Sequence, residues 1–225
     1  MQDRRFMSSS QAQAANIDAG LRSYMLGVYN HMTIGMAITG FFAYLTKIMS
    51  VSEGMLTPFG TAIYASPLKW VIMLAPLGMV FWLSAKVQTM KPESARNLFY
   101  AFAAIMGISL SSLLLVFTGE SVIRVFFLTA ASFSALSIYG YTTKKNLTSM
   151  GSFLIMGLVG LILASIVNIF LASSAMQFII SVVGVLIFAG LTAYDTQRIK
   201  LMYMASDDRG TALKKSIMGA LTLYL

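Results

Sequence analysis

The chain has 225 residues, of which 57% are hydrophobic and 11% charged, with a formal net charge of +8 and a mean hydropathy of +0.76. A soluble domain carries about 25% charged residues, so this composition excludes an ordinary soluble globule and indicates a polytopic membrane protein. No cysteine and a single histidine exclude a disulfide framework, a thiol nucleophile and a thiolate or multi-histidine metal site.

Residues 1–24 are polar, with Arg4, Arg5, Ser8, Ser9, Ser10 and Gln11, and lack the apolar core of a signal peptide. They read as a cytoplasmic tail, disordered at first and then lying as a helix on the membrane surface over 12–24. Residues 25–225 read as a single transmembrane helical domain. Six stretches are long enough to cross about 30 Å of hydrocarbon: 25–46, 68–85, 98–118, 122–143, 153–172 and 176–194. A seventh begins near Ile217 and has nine residues, 217–225, against the ~20 a span needs, so it is either a fragment of a longer helix or an end inside the bilayer. The fold class is therefore all-α, a polytopic membrane helix bundle.

Basic residues fall in the short connections rather than in a patch, so the charge sets topology and does not indicate nucleic acid. One side collects thirteen Lys and Arg, the other only Lys47, Lys69 and Arg124, which puts the N-terminus in the cytoplasm. The longest outer connection, 47–67, holds Gly54, Pro58, Gly60 and Pro67 and reads as an irregular loop. The connections 119–121 and 173–175 are short enough to make antiparallel hairpins of spans three with four and five with six. Pro76 lies midway along span two and is expected to kink it. Paired small residues such as Gly157 with Gly160 read as close helix packing, and the 17 methionines as adaptable core fillers.

Few polar residues reach membrane depth. His31, beside Asn30 in the inner half of span one, suits a proton route or a hydrogen-bonded packing role. Asn168 in span five, one turn after Ser165, is expected to find an interhelical partner or to line a cavity. Asp195 closes the apolar run 184–194 and is the only acid in such a setting. A carboxylate costs roughly 2.5 to 3.5 kcal/mol at a helix centre, less near the interface. The C-terminal end of a helix carries partial negative charge, so an acid there is badly placed for capping. Arg198 at i+3, a bound cation or a retained proton would offset it.

Enzyme chemistries find no support. Gly107-Ile108-Ser109-Leu110 lacks the second glycine of a nucleophile elbow, and Tyr194-Asp195 has no Gly-x-Gly-Asp partner for an aspartyl protease. Phosphate-cradling loops are absent.

The string Gly190-Leu191-Thr192-Ala193-Tyr194-Asp195-Thr196-Gln197-Arg198-Ile199-Lys200, followed by Gly219-Ala220-Leu221-Thr222-Leu223-Tyr224-Leu225, resembles the bacterial branch of the Bax inhibitor (transmembrane BAX inhibitor motif) family. Tyr139-Gly140-Tyr141-Thr142-Thr143-Lys144-Lys145-Asn146-Leu147, Arg22-Ser23-Tyr24-Met25 and Ala164-Ser165-Ile166-Val167-Asn168-Ile169-Phe170 extend the resemblance along essentially the whole chain.

That resemblance implies six helices around a central seventh, in a multi-pass protein of the bacterial inner membrane. It implies a pH-sensitive cation leak, chiefly for Ca2+, with no cofactor. Asp195 corresponds to the family's span-six aspartate, and its partner on span seven is expected directly after Leu225. Lys86 stands where a basic latch of the closed state would lie. The rival reading is a non-transporting regulator whose N-terminal tail binds a membrane-anchored AAA protease or another membrane protein. The lipid bilayer is the partner common to both, and neither implies an oligomeric state.

Overall fold

The computed structural model describes residues 9–87 and 89–225, with side chains from residue 17 onward. The start of the polar tail, with Arg4 and Arg5, lies outside the described residues, and with it much of the segment expected to bind a protease. Long apolar runs give helices because a chain in hydrocarbon must satisfy every backbone N–H and C=O within itself. Among the described residues six helices are long and apolar enough to cross a membrane: Ile17–Ser50, Leu68–Lys86, Pro92–Val116, Gly119–Thr142, Thr148–Leu171 and Ser174–Leu201. Their outer faces stay apolar, with Phe170 84% and Ile169 77% exposed, a surface suited to lipid and not to water.

The chain divides into two compact units, 1–122 with Tyr203–Leu225, and Ile123–Met202. In unit one, α1 (Ser9–Ser50) is one continuous helix of 42 residues, about 63 Å at 1.5 Å per residue. It has no break at Tyr24, where the sequence suggested a surface helix joining a span. The reason is tertiary: Gly20 packs under the Tyr203 hydroxyl, and the Tyr24 and Tyr203 rings stack with centroids 5.6 Å apart. The polar first turns are thus held against the body of the unit.

The 47–67 connection is ordered where an irregular loop was expected. A two-residue hairpin pairs β1 (Val51–Ser52) with β2 (Met55–Leu56). Its turn, Glu53 at φ 53° and Gly54 at φ 80°, has both central residues in the left-handed region, as a type I′ turn requires. Thr57 then bonds the Met49 carbonyl and caps α2 (Pro58–Gly60), which continues as a π-helical turn over Thr61–Ala65.

Helix α3 (Leu68–Lys86) runs on through Pro76. Helix α4 (Pro92–Leu110) starts with proline at its first turn and Glu93 beside the positive helix end. The expected uninterrupted third span breaks at Ser111, whose hydroxyl turns back to the Ile108 carbonyl at 2.6 Å and accepts from Tyr64 at 2.7 Å. A short helix, α5 (Leu113–Val116), completes the crossing. The seventh helix starts well before Ile217, as α9 (Arg209–Tyr224), because Asp208 accepts from the Gly210 and Thr211 N–H groups at 2.8 and 3.2 Å. Helices α1, α4 and α9 pack on one another and α3 packs on α4. Val28, Phe99, Phe102, Ile217 and Ala220 form the fully buried core of the unit.

Unit two contains α6 (Gly119–Thr142), α7 (Thr148–Leu171) and α8 (Ser174–Leu201), with α7 and α8 as an antiparallel hairpin. The turn between them is tighter than 173–175: Ala172 adopts φ 48° and Ser173 caps α8 by accepting from the Met176 N–H.

Candidate functional site

The last turns of α8 are fastened to α6 and to the α6–α7 connection. Gly140 allows the approach, since a Cβ at that position would lie 2.3 Å from the Ala193 carbonyl oxygen. One turn away, the hydroxyls of Ser137 and Thr196 meet at 3.2 Å, with Thr196 donating to the Thr192 carbonyl at 2.8 Å. Gln197 is 9% exposed and uses both ends of its amide, accepting from the Leu147 N–H at 2.9 Å and donating to the Lys145 carbonyl at 2.8 Å. Lys200 donates to the Tyr141 carbonyl at 2.7 Å, its Nζ 5.0 Å from the centre of the Tyr141 ring. Gly151 at the start of α7 lies against the Tyr194 ring.

Asp195 sits within this fastened segment and takes no part in it. Its side chain is half-buried, and among the described residues it accepts no hydrogen bond and forms no ion pair; Arg198, exposed at i+3, supplies the neighbouring positive charge. Thr196 and Gln197, the next two residues, have committed their polar atoms, whereas the Asp195 carboxylate has not.

Asn168, singled out in the sequence and lying in the same unit, does not join it. Asn168 is at the far end of the α7–α8 hairpin, about 25 Å of helix rise from Gly151, which contacts Tyr194. It does not bond across helices as expected: its Oδ1 accepts from the Ser173 N–H at 3.1 Å and closes the end of α7. A short polar side chain can satisfy a helix end locally, and the left-handed Ala172 brings that N–H within reach. Lys86 is an exposed cation in the last turn of α3, complementing the carbonyl end of that helix.

His31 belongs to unit one, where its Nδ1 shares a hydrogen bond of 2.9 Å with the Tyr100 hydroxyl of α4. Two turns further along α1, the Tyr224 hydroxyl donates to Thr39, which in turn lies 2.9 Å from the Ala103 carbonyl. The sequence reading assigned no individual role to Tyr100, Tyr224 or Gln197.

Among the described residues no three His, Asp or Glu side chains gather as a metal site. A Ca2+ ion takes 6–8 oxygens. Asp195 offers two, too few to hold that ion by itself.

Residues 21–225 match the protein family described as Inhibitor of apoptosis-promoting Bax1. An uncharacterized protein of Caulobacter vibrioides is 46% identical over 213 residues, covering 93% of this chain and 85% of its own. Protein RP147 of Rickettsia prowazekii is 44% identical, covering 92% and 85%. The inner membrane protein YbhL of Escherichia coli is 41% identical over 210 residues, covering 92% and 87%.

Proposed function

Because the chain belongs to the Inhibitor of apoptosis-promoting Bax1 family, we propose that it is a pH-sensitive cation leak, chiefly for Ca2+, in a bacterial inner membrane, with Asp195 as one half of the gating carboxylate pair. The named location of the Escherichia coli relative supports the membrane, and the excess of Lys and Arg on one side supports a cytoplasmic N-terminus.

The observation that carries the gating role is the half-buried, unpaired carboxylate of Asp195 on a segment where Thr196, Gln197 and Lys200 are all engaged in hydrogen bonds. A carboxylate so placed responds to a second one brought beside it. At low pH two neighbouring carboxyls share one proton, bond to each other and hold the mouth closed. As pH rises both ionise, repel, and part or bind a cation. The resemblance places the second carboxylate of such a pair on the seventh helix.

The test is Ca2+ flux into liposomes carrying the full-length protein, measured across pH. Asp195→Asn removes the charge at almost constant shape and should flatten the pH response. An unchanged response in that variant removes Asp195 from the gate.

A further inference from the structure

In unit one a cleft of about 310 Å³ opens between the first turns of the crossing part of α1 and the start of α9. Gly20, Ser23, Gly27 and His31 line it from α1, Tyr203 from the α8–α9 connection, and Ser216 from α9. Beside it the Tyr24 hydroxyl is buried and, among the described residues, has no hydrogen-bond partner, although Tyr24 is only 7% exposed. An unsatisfied buried hydroxyl costs about 1–3 kcal/mol, and a water molecule in the cleft would relieve it only once the ring shifts enough to uncover it. At roughly 30 Å³ per molecule the cleft has room for several.

The cleft ends at His31. Beyond the imidazole, Gly35 is closed over by Phe99, whose ring atoms would lie 2.9 Å from a Cβ there, and by Tyr224. Phe99 and Tyr224 meet edge to face at 5.8 Å. Polar contact resumes only at Thr39, about 12 Å of helix rise past His31. The arrangement is thus an open cleft with Ser23, Tyr203 and Ser216 in its wall and an aromatic seal, with the only imidazole of the chain at the boundary between them.

We propose that this cleft is a water-filled vestibule ending at His31, and that the His31–Tyr100 pair is its proton-binding site. With Nδ1 engaged by Tyr100, Nε2 is the nitrogen left to exchange a proton with water in the cleft. The titratable and charged groups that contact or influence the ring or share its cleft are Tyr100 and the more distant Arg96 from α4, Tyr24 from α1 and Tyr203 from the connection. The neighbouring Asp207 is paired with Lys215 at 2.6 Å, and α9 lines the cleft with the uncharged Ala212, Leu213 and Ser216. The seal makes this a site that binds and returns protons, not a route across the membrane. It does not depend on Asp195.

The absence of native cysteine makes the test direct. Gly27→Cys has steric room, its Cβ 3.8 Å from the nearest neighbouring side chain, and Ser216→Cys probes the opposite wall. In bilayers, both should react with a membrane-impermeant thiosulfonate at least about tenfold faster than Ala103→Cys behind the seal, because reaction needs a hydrated thiolate. The lone histidine also gives one ring signal in 15N NMR. It should respond to bulk pH, and Tyr100→Phe should move its midpoint. Cysteines at 27 and 216 that react no faster than one at 103 would overturn the vestibule. A ring signal insensitive to bulk pH, or a midpoint unmoved by Tyr100→Phe, would overturn the proton site.

Discussion

Gln197 shows how one side chain fixes the end of a membrane helix. Its partners are backbone atoms of Lys145 and Leu147, so the amide supplies to the α6–α7 connection what a neighbouring strand would supply to a sheet edge. Gln197→Leu keeps the bulk and leaves the buried Leu147 N–H without an acceptor, a loss of about 1–3 kcal/mol. Thermal unfolding in detergent should fall accordingly, and hydrogen exchange at the Leu147 amide should quicken; unchanged exchange would mean the bond is dispensable. At this scale the sequence was readable by residue type. Asp195 and His31 stand out because charge and imidazole are rare in apolar runs. Gln197 gives no such signal, since its partners lie 50 and 52 residues away and contribute no side chain.

The elements were legible in their middles and obscure at their ends. Apolar length alone marks the six spans, because hydrocarbon imposes it. The ends depend on local chemistry and on packing, as in the continuation of α1 through its polar first turns and the early start of α9. That start had a sequence cue, an aspartate just ahead of a helix-compatible stretch, which its charged neighbours masked. The Thr211 hydroxyl, with the N–H groups of Thr211 and Gly210, donates to Asp208 and holds its carboxyl below the usual carboxylate range. A carboxyl lowered in the folded state contributes stability that is present above its unfolded value and lost as pH falls through its folded value. Asp208→Ala should therefore lower the Tm at neutral pH, and the gap from the unaltered protein should narrow in acid. A gap independent of pH would leave the cap without an electrostatic part.

For the whole molecule, the charge asymmetry makes a claim that can be checked at two points. The Glu53–Gly54 turn and Lys144 fall on opposite sides of the membrane if the N-terminus is cytoplasmic. Both Glu53 and Lys144 are exposed, and the chain contributes no background thiol. In intact cells an impermeant thiol reagent should label Glu53→Cys, while Lys144→Cys should require permeabilised membranes; the reverse pattern would invert the topology. The division into two units was not readable beforehand. It depends on Tyr203–Leu225 returning to pack with α1 and α4, a long-range pairing that hydropathy does not encode.

The length of α1 has a mechanical consequence. A straight helix of about 63 Å is roughly twice the thickness of the hydrocarbon it crosses. A tilt of about 5° around one end would carry the other through about 5 Å, close to one helical turn. Since α1 forms a wall shared with both α4 and α9, such a swing would be felt along both seams at once. Force applied to its first turns would then reach the imidazole and the aromatic seal along one continuous helix, without any local unfolding.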